Sequence, residues 1–137
     1  MSLAGAVLSL AGCSGSVIES PSAQAEYGCM DDSKACIDQR QMVLKSLVSD
    51  KSRGWVKHPA SAAAYASGVR MFAFKTEKQR LSCDELSSGR REAEGAPRVL
   101  RSPQAQGLTP AQVSRGIMFA DEVSRELTRE AQRRCRV

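Results

Sequence analysis

The residues best suited to covalent, metal or proton-transfer chemistry are five cysteines (Cys13, Cys29, Cys36, Cys83, Cys135) and a single histidine, His58. A structural zinc site pairs its thiolates two to four residues apart, and no two cysteines stand that close. Cys13 falls in a short apolar leader. The remaining four are an even number in a small chain, which is the pattern of a disulfide framework. Two bridges among Cys29, Cys36, Cys83 and Cys135 are expected, each contributing about 2–4 kcal/mol. Three connectivities stay open, with a preference for bonds that tie Cys36 and Cys135 to other segments, because these close the larger loops.

His58 follows "RGWVK" and precedes Pro59, in what reads as a turn. A catalytic histidine needs a nucleophile and an orienting carboxylate brought to it. Asp50 is near in sequence, but no serine is marked as a partner, so His58 reads as a surface turn residue. Asp31-Asp32 and Asp84-Glu85 stand at helix starts, where negative charge complements the helix dipole. Acid–base work would need two carboxylates facing one substrate. The spacings of H-E-x-x-H, a Gly-rich phosphate loop, a nucleophile elbow and an EF-hand do not occur. The expectation is a protein that is not an enzyme, with no catalytic residue, no metal and no cofactor.

The leader carries its own signal. Leu10-Ala11-Gly12-Cys13 follows the apolar run Leu3 to Leu10. It resembles the lipobox of bacterial lipoproteins, which implies cleavage before Cys13 and lipidation of its thiol. Ser14 to Gly28 is then a small, polar tether with a reach of roughly 20 Å. Ala23-Gln24-Ala25 reads equally as an A-x-A cleavage site for ordinary secretion. Both alternatives export the chain. The division expected is 1–28 as export signal and flexible tether, and 29–137 as a helical domain.

Aromatic residues make up 4% of the chain and apolar residues 42%. A core built of Ala, Leu and Val favours close helix–helix contact over a pleated sandwich. From Asp32 to about Lys51, Ile37, Val43, Leu44, Leu47 and Val48 form a helical stripe. Pro59 suits a first helical position. In "ASAAAYASGVRMFAFK", Ala62, Tyr65, Ala66, Val69, Phe72 and Ala73 share one face, and Ala60, Ala64 and Gly68 make a second face of small residues. Val69 to Phe74 is also readable as a short strand. Ser82 and Glu85 form a capping box that starts a helix running to about Glu94, and "GAPRVLRSPQAQG" reads as a loop. Thr109, Pro110 and Gln112 open the last helix, whose stripe is Val113, Ile117, Ala120, Val123, Leu127 and Ala131. Glu126 and Glu130 stand at pairing distance from Arg129, Arg133 and Arg134.

The fold expected is therefore all-α, a small up-and-down bundle of three to four helices stapled by disulfides. Such a bundle would gather all four body cysteines at one pole. The net charge is +5, spread along helices rather than concentrated. Solvated helical surface explains that spread, and nucleic acid is not an expected partner. No run approaches the length of a membrane span. The function expected is a small envelope binding or scaffold protein, either anchored at the outer membrane or soluble in the periplasm, with an envelope protein as partner. A periplasmic inhibitor or immunity protein is the alternative. Arg70, Arg90, Arg91 and Arg98 are the candidate contacts for an acidic partner.

Overall fold

The computed structural model describes residues 30–58 and 60–136. Cys13, Cys29, both cleavage sites, the tether and Pro59 lie outside the described residues. The described chain is a small all-α bundle without strands. Its helices are α1 (Lys34–Ser49), α2 (Ala62–Ser67), α3 (Val69–Glu77), α4 (Cys83–Leu100) and α5 (Pro110–Arg134). Two 3-10 turns, Gly54–Lys57 and Pro103–Ala105, lie between them.

Side-chain caps set most of the helix starts. Ser33 Oγ accepts from Cys36 N at 3.2 Å, and Ser61 Oγ accepts from Ala64 N at 3.3 Å. The second helical stretch therefore begins at Ala62, with Ser61 as its cap. Ser82–Glu85 and Thr109–Gln112 are complete capping boxes, in which each side chain bonds the other residue's N–H.

The stretch expected as one helix from Pro59 is two, because Gly68 sits at φ 79°. That left-handed conformation ends α2 and opens α3 at a corner, at little steric cost to glycine. The corner also turns the buried face. Met71, Ala73 and Phe74 are fully buried in α3, whereas Phe72, expected in the core, is 47% exposed. Val69 to Phe74 is helix, not strand.

The loop expected at "GAPRVL" is instead the end of α4. Pro97 forgoes one intrahelical bond, but Ala96 and Leu100 are each 1% exposed. Burying a leucine contributes about 1.5–3 kcal/mol, and that tertiary gain keeps the helix going for another turn and a half past Glu94.

Helix α4 packs antiparallel on α5 as the most extensive pair. Phe74, Leu86, Leu127 and Val123 fill the centre, all 0% exposed. Gly89 lets the Phe74 ring lie on the α4 backbone, since a Cβ there would come within 2.8 Å of the ring. Helix α3 runs parallel to α5, as successive ion pairs show: Lys75 Nζ to Glu122 Oε1 at 2.8 Å, then Lys78 Nζ to Glu126 Oε2 at 3.1 Å. Glu126 thus pairs across to α3 rather than along its own helix, and these lysines hold its carboxyl below the usual range. Glu130 pairs as expected, with Arg133 at 2.6 Å and Arg134 at 2.8 Å. Arg134 also donates to the carbonyls of Lys78 and Leu81, so it caps the end of α3.

Helices α3, α4 and α5 alternate in direction. Helix α1 lies along α3 in the same sense, because the Gly54–Lys57 turn and α2 take the return path. This arrangement corrects the expectation of one cysteine pole. Cys83 and Cys135 are bonded to each other, across 52 residues of sequence. Cys36 is also disulfide-bonded, but it lies at the opposite end. Asp32, one turn before it, reaches Arg115 at 3.9 Å, and Arg115 is about 30 Å of helix away from Cys135.

Candidate functional site

The first sequence candidate, Arg70, is an interior residue. It is 7% exposed. Its Nε and Nη2 donate to Glu92 Oε1 and Oε2 at 2.6 and 2.9 Å, and Nη2 also donates to the His58 carbonyl. Its guanidinium stacks 5.4 Å from the Trp55 ring centroid and 5.6 Å from that of Phe74. Trp55 meets Phe74 edge-on at 4.9 Å and donates through Nε1 to the Leu47 carbonyl at 3.1 Å. Arg70 therefore ties α3 to α4 and to the His58 turn, and it is not a partner contact.

Tyr65 donates to Glu92 Oε1 at 3.2 Å. Burial pushes its phenol up to about 12, with help from the Glu92 charge. This cluster is a buried, mutually satisfied network that fixes the centre of the bundle.

Arg91 and Arg98 are exposed on α4. They stand seven residues apart and so share an outward stripe. Arg91 donates to Ser87 and Ser88 at 2.8 and 3.3 Å. Arg90 is half-buried and approaches Glu94 at 4.0 Å. His58 is exposed in its turn. Among the described residues no group of three or more His, Cys, Asp or Glu side chains could hold a metal ion. No helix among them is long and apolar enough to cross a membrane.

Asp84 and Glu85 do different work. Glu85 closes the α4 capping box and takes a two-point ion pair from Arg53, Nε to Oε2 at 2.9 Å and Nη2 to Oε1 at 3.1 Å. The Arg53 guanidinium pulls the Glu85 carboxyl down to about 2. Arg53 itself has φ 49°, an uncommon conformation for a residue with a side chain, in a turn where its N–H donates to the Asp50 carbonyl at 3.1 Å.

The feature that sequence reasoning missed is a groove. Helix α1 leans chiefly on α3, and the Gly68 corner leaves a trough of about 490 Å³ between α1, the corner and the first turns of α5. Its apolar walls are Ile37 and Leu44 from α1, Phe72 from α3 and Phe119 from α5. Phe72 and Phe119 contact each other with ring centroids 5.4 Å apart. The close approach of α2 to α5 depends on Gly116, where a Cβ would come 3.3 Å from Ala66 Cα and 2.9 Å from Leu100 Cδ1.

The charged side chains of the groove lining are Asp32, Arg40 and Arg115. Arg40 donates to the Asp31 carbonyl at 2.8 Å and to Cys36 Sγ at 3.2 Å. Arg115 meets Asp32 at 3.9 Å, with side chains 58% and 81% exposed, a pairing that contributes little. The sequence holds one signal of this groove, the lone Gly68 inside a helical pattern, where the spacing alone suggests a small-residue face. The arrangement can bind an apolar body with a polar end. Comparisons with known protein families, with curated proteins and with solved structures return no match.

Proposed function

We propose that the chain is a small exported protein of a bacterial envelope that acts by binding rather than by catalysis, with the groove between α1, α3 and α5 as its binding surface. One observation carries the binding part of this reading: a largely apolar trough whose lining includes the two arginines Arg40 and Arg115. Such a lining is typical of ligand sites, which are mostly apolar with a few convergent polar groups. Export is supported by the lipobox-like Leu10-Ala11-Gly12-Cys13 and by the Cys83–Cys135 bond, since disulfides persist in oxidising compartments.

With cleavage before Cys13, a lipid on that thiol anchors the protein to a membrane. Arg91 and Arg98 then present an outward basic stripe to an acidic envelope partner. The inhibitor or immunity reading uses the same compartment and draws on the exposed Met42 and Met118, 73% and 70% accessible.

Fractionation of host cells tests the anchored form. The chain sediments with membranes and becomes soluble in the periplasm on Cys13→Ala. Recovery in the cytosol with Cys13 intact contradicts the proposal. A tight one-to-one complex with a single soluble enzyme, abolished by Met118→Glu, would favour the inhibitor.

A further inference from the structure

We infer that the groove binds the free anion of a medium-length alkyl chain, a fatty-acid carboxylate, with the tail between Ile37, Phe72 and Phe119 and the carboxylate at Arg115. The inference deepens the binding reading and does not depend on export, so fractionation and ligand titration fail independently.

Size narrows the occupant first. A volume of about 490 Å³ lies in the range of small-molecule sites, about 300–1,000 Å³. A helix 10–12 Å across fills that space in about one turn. That is too short for the i, i+3, i+4 and i+7 anchors that hold a helix in a groove.

The walls narrow it further. Ile37 is 38% exposed and Phe72 47%, so both leave apolar surface in water within a concave setting that an alkyl chain would cover. The charged part of the lining supplies the sign of the head group. Its charged groups are Asp32, Arg40 and Arg115, one negative and two positive. Arg40 is already engaged with the Asp31 carbonyl and Cys36 Sγ. Among the described residues Arg115 makes one long, solvent-exposed contact, with Asp32, which a carboxylate can replace with a two-point guanidinium pair. Lys75, whose Nζ is 6.0 Å from the Phe119 ring centroid, is held by Glu122 and Glu126 and leaves Arg115 as the head-group cation.

The test is calorimetric titration of the oxidised full chain with hexanoate, octanoate and decanoate, and with decanol, all below micelle formation. One saturable site is expected, tightening about fourfold per added methylene until the trough is filled. Decanoate should bind about fivefold more tightly than decanol, the upper range for an exposed ion pair. Arg115→Gln removes that preference but keeps the dependence on chain length. Phe72→Asp and Ile37→Asp each weaken decanoate at least tenfold.

All three positions are partly or fully exposed, and circular dichroism checks each variant's fold; if one misfolds, the others decide. Absence of saturable decanoate binding overturns the inference. Equal affinity for decanol and decanoate overturns it too, as does binding that Phe72→Asp and Ile37→Asp leave unchanged. Binding to anionic vesicles without binding of the free carboxylate has the same consequence.

Discussion

Replacing Cys83 and Cys135 together by serine removes one covalent bond while leaving the packing of α4 on α5 in place. The bond closes a loop over 52 residues of sequence. In the chain-entropy description, a loop of that length restricts the unfolded chain by about 4 kcal/mol at 25 °C. Domains of this size are stable by roughly 5–15 kcal/mol, so the bond carries a large share. Arg134, bonded to the carbonyls of Lys78 and Leu81, keeps the end of α5 docked without it, and the variant should therefore fold. The assay is urea denaturation followed by far-ultraviolet circular dichroism, comparing the oxidised protein with the double-serine variant. A loss of about 3–4 kcal/mol is expected, with a marked fall in the midpoint. The slope of the transition should rise, because the unlinked unfolded chain exposes more surface. A difference below about 1 kcal/mol, with identical slopes, would refute the reasoning that this bond holds the two long helices together.

Arg70→Ala leaves Glu92, its side chain only 11% exposed, without its two-point partner and strips the cation from Trp55 and Phe74; a loss of about 3 kcal/mol is expected in the same urea assay. Gly89→Val drives a side chain into the Phe74 ring, which would lie 2.8 Å from the new Cβ. Phe74 is fully buried and cannot swing clear, so overpacking costs about 1–3 kcal/mol or more and lowers the thermal midpoint. Glu85 is depressed from 4.5 to about 2. Its contribution is therefore complete above about pH 4.5 and is lost as pH falls toward 2. Stability measured between pH 6 and pH 2 should drop by about 1 kcal/mol through this group, after allowance for solvent screening, and Glu85→Gln should flatten that part of the profile.

The parts of the fold legible in the sequence are those written in local chemistry. Thr109, Pro110 and Gln112 announce α5, and the same hydrogen bonds appear in the structure, Thr109 N to Gln112 Oε1 at 2.9 Å and Gln112 N to Thr109 Oγ1 at 3.2 Å. The α5 stripe from Ala120 to Ala131 is likewise buried. Tertiary packing decides the parts that local signals do not show. Gly95 and Pro97 signal a loop locally, but the burial of Ala96 and Leu100 overrides them. Gly68 looked like one more small residue in a helix, yet its positive φ turns the chain, moves Phe72 to the surface and brings Arg70 inside. Beyond Gly68 the groove has no local signal, because it is a gap left by the way α1 leans on α3. The burial of Arg70 is illegible locally for a related reason: nothing in its neighbourhood reveals Glu92, 22 residues away.

The proposed export and the disulfide-fastened frame stand or fall together on the state of the chain in its host. Intact mass of the protein recovered from its host, with free thiols alkylated before analysis, tests both most directly. The expected result is a chain trimmed before Cys13 and carrying a lipid, or trimmed after Ala25, with Cys83 and Cys135 unalkylated. An uncut leader with both of those cysteines alkylated would contradict both.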